Sequence, residues 1–210
     1  MSNPILFKAF SPPPLCEKEI LRYSGMKGET EEISELLKSC LKEAWHLISY
    51  KVCYREFPLK ISGNVCDFGD FSLDSQKLAK NLENCDKAIV FAATIGASID
   101  RLISKYSKLS PARALMLEAI GSERIEALCD AFSSDFGGCA RFSPGYGDLG
   151  LEAQKTLFSV LEPMKIGIVL NSSLMMSPSK SVSAIMGIGK SRTPNNKCSL
   201  CEKKDCECRA

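Results

Sequence analysis

The sequence has little of several features that would assign a function quickly. Its net charge is only +2, from 27 basic and 25 acidic residues spread along the chain, so it lacks the basic stripe that follows a phosphate backbone. Its apolar runs, such as AIVFAATIG (88–96), are far shorter than a bilayer span, and no charged segment precedes an apolar stretch at its N-terminus. These absences argue against a nucleic-acid or membrane partner, and we expect a cytoplasmic protein.

Histidine is almost missing, because His46 is the single histidine of 210 residues. It has no visible orienting partner for a Ser-His-Asp or Cys-His arrangement, and it does not lie in a D-x-H-x-x-G context that would ligate cobalt. A lone Gly96 after the apolar run also lacks the G-x-G-x-x-G spacing of a dinucleotide site. A hydrolase with a catalytic histidine and a nucleotide-binding enzyme are therefore both disfavoured.

Cysteine is abundant, with eleven residues. The count is odd and the chain shows no export signal, so we expect most of the thiols to be reduced. Four of them, Cys198, Cys201, Cys206 and Cys208, form the pattern C-x2-C-x4-C-x-C in a polar C-terminal segment. Clustered thiolates bind zinc or hold an iron–sulfur cluster. The alternative is an unliganded tail with reactive thiols.

The apolar periodicity predicts an α+β fold. Residues 30–49 show the spacing of a long helix, residues 50–73 resemble short strands cut by turns, and AIVFAAT (88–94) is typical of a strand buried on both faces. Ser110 followed by Pro111 predicts the start of a long helix that ends near Gly137. Shorter helices are predicted at 75–82, 97–109 and 151–161, and strands at 165–170 and 181–188.

We divide the chain into three parts on this basis. Residues 1–84 form an N-terminal helical arm with short strands, and residues 85–190 form an α+β core that is expected to make one compact unit with them. Residues 191–210 are the cysteine-rich tail, which has almost no apolar content and should lie outside the core.

The stretch RFSPGYGD (141–148) has the composition of a ligand-binding loop. Pro144 stiffens the backbone, and Gly145 allows a conformation closed to other residues as well as a close approach of a ligand to the main chain. Arg141 offers a rigid fork of donors for a carboxylate, and Tyr146 offers a flat face. Together they suit a small zwitterion with an aromatic end. The alternative is a plain turn with an arginine that points to water.

Two motifs carry a resemblance to a known family. The loop R-F-S-P-G-Y (141–146) and the downstream segment LMMSPSKSVSAIMGI (174–188) resemble the R-x-x-P-G-Y and M-x-P-x-x-S-V-S motifs of the reactivation domain of cobalamin-dependent methionine synthase. The similarity covers about Cys85 to Gly189. It implies a twisted, mainly antiparallel sheet with packed helices, and it implies a site for S-adenosylmethionine at the loop.

The resemblance also implies roles for residues of the loop. Arg141 would pair with the carboxylate of the ligand, the backbone of Ser143 and Gly145 would approach its adenine and ribose, and Tyr146 would pack against it. The contact between Arg141 and the ligand carboxylate would be a charge-assisted hydrogen bond. Replacing Arg141 is therefore the single substitution that best tests the implied site.

Acidic residues complete the implied site. Glu118 and Asp135 match positions where the family has acidic side chains at the ligand, and such groups accept from an ammonium or a ribose hydroxyl. The sequence departs from the family at residues 171–173, where Asn-Ser-Ser replaces Thr-Glu-Ser, so the glutamate is missing. The core also ends near Gly189, before the family's later aromatic contact to the ligand.

Partners follow from the same resemblance. In the family, S-adenosylmethionine supplies a methyl group, and a reductant supplies one electron, to rescue cobalamin that has reached the cobalt(II) state. We therefore expect a reactivation subunit that acts in trans on a corrinoid-carrying methionine synthase or methyltransferase subunit, with a flavodoxin- or ferredoxin-like reductant. The alternative is a non-catalytic interaction module with a metal-binding tail, which predicts no S-adenosylmethionine binding.

Overall fold

The structure, a computed structural model, describes residues 3–26, 30–137 and 140–189. The strands and helices within these ranges are, in chain order, β1 (Leu6–Phe10), α1 (Glu17–Ser24), α2 (Glu31–Ala44), β2 (Tyr50–Pro58), β3 (Lys60–Ser62), β4 (Val65–Asp67), β5 (Ser72–Asp74), α3 (Gln76–Asn81), β6 (Lys87–Thr94), α4 (Ser98–Leu109), α5 (Pro111–Phe136), α6 (Ala153–Leu161), β7 (Val169–Leu170), β8 (Met176–Ser177) and β9 (Ser181–Ile188). Short 3-10 turns cover Trp45–Leu47 and Pro163–Ile166.

An antiparallel sheet in the order β1-β2-β6-β9 forms the centre of the fold. The strands β3, β4 and β5 make a second small sheet, and β7 pairs with β8 in a short hairpin. The α+β class is confirmed. The central sheet contains strands from before and after residue 85, where the sequence-based division placed a boundary, because β2 pairs with every residue of β6.

The strand β6 is buried on both faces, as its unbroken apolar run predicts. Ile89, Phe91 and Ala93 belong to a core with α1, α2, α4 and α5, whereas Ala88, Val90 and Ala92 belong to a core with α3, α6 and the small sheet. The sheet therefore separates two apolar layers. No helix in the described ranges has the length and apolar content that crossing a membrane requires.

Two elements differ from the sequence-based expectations. The N-terminal segment contains the strand β1, whose side chains are mostly exposed, so it has no alternating apolar pattern and is defined by its pairing with β2. The expected strand at 165–170 is mostly a 3-10 turn, because Pro163 begins the turn and Gly167 ends it with a φ of +89°. Only Val169–Leu170 remain extended there.

A buried ion pair attaches the N-terminal segment to α5. The Arg124 side chain is fully buried and donates to Glu123, at 2.5 and 2.6 Å, and to the carbonyls of Pro13 and Pro14, both at 2.7 Å. The Glu123 carboxylate also accepts from the backbone N–H of Cys16, at 3.0 Å, just before α1 begins. Burial by itself disfavours the guanidinium cation, but the Glu123 carboxylate outweighs this effect and the pKa of Arg124 is raised.

Replacing Arg124 should therefore be costly. We expect Arg124→Leu to lower the free energy of unfolding by about 3–5 kcal/mol, because the Glu123 carboxylate and two carbonyls would remain buried without their donor. Urea denaturation measures this loss. Arg101→Leu is the control, since Arg101 is exposed and its guanidinium donates to Ser98 on the same helix. Equal midpoints for the two variants would contradict the role given to Arg124.

Candidate functional site

The segment that begins with Arg141 lies along the free edge of the central sheet. Phe142 and Ile185 of β9 exchange two backbone hydrogen bonds of 2.8 Å each, so residue 142 is paired as in a strand. The Phe142 side chain enters the core that contains α6. Neighbouring side chains in an extended segment point to opposite faces, and Arg141 accordingly points toward α5 on the other side of the sheet.

After this pairing, the loop closes on itself through its backbone. The Gly145 N–H donates to the Leu149 carbonyl at 2.8 Å, and the Tyr146 N–H donates to the Ser143 carbonyl at 3.1 Å. Gly145 has a φ of +83°, in the left-handed region that only glycine enters without strain. The Tyr146 ring is 55% exposed and meets Phe142 edge-on, with 5.4 Å between the ring centroids. The loop thus offers an aromatic face to solvent.

A carboxylate that sequence reasoning missed fixes the end of this loop. Asp148 accepts from the Ser75 hydroxyl at 2.5 Å and from the backbone N–H groups of Gln76 at 2.8 Å and Lys77 at 3.3 Å, at the start of α3. The Ser75 hydroxyl holds the pKa of Asp148 below its ordinary value, and the backbone N–H donors add to this effect. Asp148 is far from α3 in sequence, so no local pattern could have indicated the contact.

Arg141 is held by two acids on successive turns of α5. Its guanidinium donates to Glu126 at 2.8 Å and to Asp130 at 2.5 Å, and its side chain is only 10% exposed. Burial disfavours the cation, yet the pKa of Arg141 is raised, because its interactions with Cys129 and with the carboxylates of Asp130 and Glu126 outweigh that effect. Arg141 is therefore a fixed positive charge that is already paired, and not an arginine that points to water.

A cleft of about 720 Å3 opens beside these two acids. One wall is α5, which contributes Glu123, Glu126, Ala127, Asp130, Ala131 and Ser134, and the other is the N-terminal segment with α1, which contributes Pro13, Pro14, Cys16, Glu19, Arg22 and Tyr23. Glu126 and Asp130 thus belong both to the cleft and to the Arg141 ion pairs. The volume lies within the range of small-molecule sites, and the lining is more acidic than basic.

The structure does not bring Glu118 and Asp135 to Arg141. Each residue of a helix adds about 1.5 Å, so these two carboxylates lie roughly 25 Å apart along α5. Glu118 pairs with Lys180 and Asp135 pairs with Lys8, both at 2.5 Å. The acids at Arg141 are Glu126 and Asp130, which sequence reasoning did not select, although their spacing of four residues places them on one face of a helix.

The downstream motif anchors β9 to three elements. Ser179 donates through its backbone N–H and its hydroxyl to Asp100 of α4, at 2.7 Å each. The Lys180 ammonium reaches α5 through Glu118, and the Ser181 hydroxyl lies 3.0 Å from the Thr94 hydroxyl of β6. The residues S-P-S-K-S thus fix β9, the strand with which the loop pairs.

The departure from the family pattern at 171–173 has a structural counterpart. The Asn171 side-chain oxygen accepts from the backbone N–H groups of Ser173 and Met175, both at 2.9 Å, and so it closes the turn between β7 and β8. No group of three or more metal-ligating side chains occurs among the described residues. The predicted metal ligands Cys198, Cys201, Cys206 and Cys208 lie outside those residues.

The Asp148 contact makes the loop sensitive to acid. We expect Asp148→Ala to lower the urea midpoint at neutral pH, since the start of α3 and the loop lose their shared hydrogen bonds. The native pKa of Asp148 is lowered from 3.8, so its contribution is fully present above that value and is lost as the pH falls through the native pKa. The difference between wild type and variant should therefore shrink below about pH 4.

Unfolding free energies measured between about pH 7 and pH 3 check this expectation. Asp74→Ala is the matched control, because Asp74 is an exposed aspartate at the end of β5, directly before Ser75. A difference between wild type and Asp148→Ala that stays constant down to the lowest pH would show that the carboxylate charge does not hold the loop.

Comparison with known proteins identifies the fold. Neither the models of protein families nor the curated proteins include a match to this sequence. Among solved structures, the chain is similar to the MetH reactivation domain bound to AdoHcy, with a TM-score of 0.67, 15% sequence identity, and coverage of 92% of this chain and 81% of that chain. The resemblance read from the two sequence motifs is thereby confirmed at the level of the fold. The chain has the fold of the methionine synthase reactivation domain.

Proposed function

We propose that this protein binds S-adenosylmethionine beside Arg141 and presents it for the reactivation of a corrinoid methyltransferase. The observation that carries the proposal is the position of Arg141: its buried guanidinium begins the R-x-x-P-G-Y loop, and both of its carboxylate partners, Glu126 and Asp130, line a cleft of suitable size. The fold shared with a reactivation domain crystallised with AdoHcy supports the same ligand class.

The charges around Arg141 match the amino-acid end of this ligand. A carboxylate can accept two parallel hydrogen bonds from the guanidinium, while Glu126 and Asp130 attract the ammonium and the sulfonium. Because both acids already pair with Arg141, the ligand's carboxylate shares or replaces one of these contacts, and its ammonium compensates the displaced acid. A zwitterion therefore suits this site better than a simple anion does.

The loop supplies the remaining contacts in this proposal. The backbone at Ser143 and Gly145 is close to the edge of the sheet, where a purine or ribose can approach the main chain, and the exposed Tyr146 ring offers a surface for packing. Glu118 and Asp135 are less suited to the ligand, because they pair with Lys180 and Lys8 and neither of them lines the cleft. We therefore propose Arg141, Ser143, Gly145 and Tyr146, with Glu126 and Asp130, as the binding residues.

The corrinoid belongs to a partner in this proposal. When present, it supplies the nucleophile that accepts the methyl group after a flavodoxin- or ferredoxin-like reductant has delivered one electron. His46, the single histidine, is exposed in the 3-10 turn after α2 and does not line the cleft, so it has no evident role in holding cobalt there. The residues of this chain bind the methyl donor, orient it and balance its charge.

The cysteine-rich tail is a separate part of the proposal. We propose that Cys198, Cys201, Cys206 and Cys208 bind a metal, either zinc or iron in an iron–sulfur cluster. A cluster would provide an entry point for the electron, whereas zinc would be structural. The sequence pattern C-x2-C-x4-C-x-C is the observation that supports this metal site.

A binding measurement tests the site. We expect Arg141→Ala to weaken the binding of S-adenosylmethionine and S-adenosylhomocysteine by roughly tenfold to a hundredfold, since a charge-assisted hydrogen bond contributes about 1.5–3 kcal/mol. Arg141→Lys should recover only part of this loss, because an ammonium cannot form the two-pronged contact. Titration calorimetry measures all three proteins, with Arg101→Ala as the control. Unchanged affinity in Arg141→Ala would remove this residue from the site.

A reconstitution tests the role. The purified protein, mixed with a cob(II)alamin-loaded methionine synthase that lacks its own reactivation domain, a reductant and methyl-labelled S-adenosylmethionine, should yield labelled methylcobalamin. Arg141→Ala should slow this transfer at subsaturating donor and approach the wild-type rate at high donor, because the residue serves binding. The competing function, a non-catalytic interaction module, predicts no labelled product and no heat of S-adenosylmethionine binding.

A further inference from the structure

The central sheet has an open edge at β1. Among the described residues, β1 pairs with β2 alone, and no backbone hydrogen bond from a turn or loop reaches Leu6–Phe10. In an antiparallel pair, every second residue directs its backbone N–H and C=O away from the neighbouring strand. The edge of β1 therefore presents a row of donors and acceptors that another extended strand satisfies best.

The side chains of β1 are exposed on both faces of the sheet. Phe7 is 47% exposed and lies on the face toward α6, where the Lys165 ammonium is 5.7 Å from its ring centroid. Leu6 and Lys8 lie on the opposite face, toward α5, and Lys8 pairs there with Asp135. A lysine on an edge strand normally discourages pairing with another chain, but this one already has a carboxylate partner.

The apolar surface of Phe7 continues into a cleft of about 780 Å3. Lys165 connects the two, because it lies over the Phe7 ring and also lines the cleft. The lining is mainly apolar and includes Phe158, Pro163, Met164, Ile168 and Val169, of which Met164 is 74% exposed. A strand added beside β1 would cover part of this apolar surface on one face while its backbone pairs with the sheet.

We propose that β1 of a second copy of this chain fills the edge, so that two central sheets join into one sheet of eight strands. A twofold axis perpendicular to the sheet makes the two β1 strands antiparallel and keeps equivalent faces of the two sheets on the same side. The apolar surfaces around Phe7 then adjoin each other across the axis. This inference is independent of the ligand proposed for Arg141.

Backbone geometry and charge select the register of the pairing. An axis that passed between two residues would place an outward-directed residue opposite an inward-directed one, so a single residue must lie on the axis. With Lys8 on the axis, two ammonium groups would face each other, which is unfavourable. With Phe7 on the axis, the two aromatic rings are paired, and each Lys8 lies opposite Leu6 of the second copy and keeps its contact with Asp135.

The size of the contact indicates a reversible dimer. A standard stable interface buries roughly 800 Å2 per partner. The strand β1 contributes five residues, and Phe7 and Met164 add apolar area on one face. Because this is a small interface, we expect a dimer that dissociates on dilution through the micromolar range.

Sedimentation velocity at a series of protein concentrations tests the proposal. Wild type should change from monomer to dimer as the concentration rises. Phe7→Lys should raise the dissociation constant of the dimer by about tenfold or more, because two buried rings are lost and two ammonium groups meet at the axis. Leu109→Lys is the matched control, since Leu109 is more exposed than Phe7 and ends α4.

A further variant tests the register. Leu6→Glu should strengthen the dimer, because each carboxylate would lie opposite Lys8 of the second copy. A dimer that Leu6→Glu weakens as much as Phe7→Lys does would contradict the register with Phe7 on the axis.

Hydrogen exchange tests the same contact in the wild-type chain. The β1 amides should exchange more slowly as the protein concentration rises, as measured on peptides by mass spectrometry. The amides of β3 are the control and should not change, because β3 is an exposed edge strand of the small sheet. A chain that stays monomeric at every concentration, with constant exchange in β1, would overturn the proposal. A dimer that Phe7→Lys and Leu109→Lys affect equally would also overturn it, since such a dimer uses another surface.

Discussion

The buried contact between Arg124 and Glu123 is the constraint on which the rest of the structure depends. It joins α5 to the carbonyls of Pro13 and Pro14 and to the start of α1, so it sets the distance between the two walls of the cleft beside Glu126 and Asp130. The helix α5 also pairs with Arg141 through Glu126 and Asp130. A shift of the N-terminal segment would therefore be transmitted to the candidate site through α5.

The sequence predicted those elements whose signals are local. The run 88–94 is apolar at every position because β6 is buried on both faces, and Ser110-Pro111 marks the start of α5 because proline is tolerated in the first helical turn. The strand β1 could not be predicted in this way, since it is an exposed edge strand that is defined by its pairing with β2, forty or more residues away. The 3-10 turn at Pro163–Ile166 shows how one proline overrides an apolar pattern.

The candidate site was predicted in part for the same reason. The conformation of Gly145 follows from the proline–glycine sequence, whereas the acids that contact Arg141 are Glu126 and Asp130 and not the expected Glu118 and Asp135. The identity of the acids at Arg141 depends on how α5 packs behind the loop. The sequence does not specify how this helix is rotated about its own axis. Asp148 is the clearest case, because its three contacts at the start of α3 join segments that only the fold brings together.

The electrostatics of Arg141 favour one kind of ligand over another. A simple anion would have to take the guanidinium from two carboxylates at once, and it would leave at least one of them beside the cleft without a cation. A ligand that carries both a carboxylate and nearby positive charges avoids this cost, because its cations take the place that the guanidinium gives up. S-adenosylmethionine has an ammonium and a sulfonium, whereas its demethylated product has only the ammonium. In the site proposed for S-adenosylmethionine, the acids at Arg141 should therefore favour the methyl donor over the product, and neutralising Asp130 should reduce that preference.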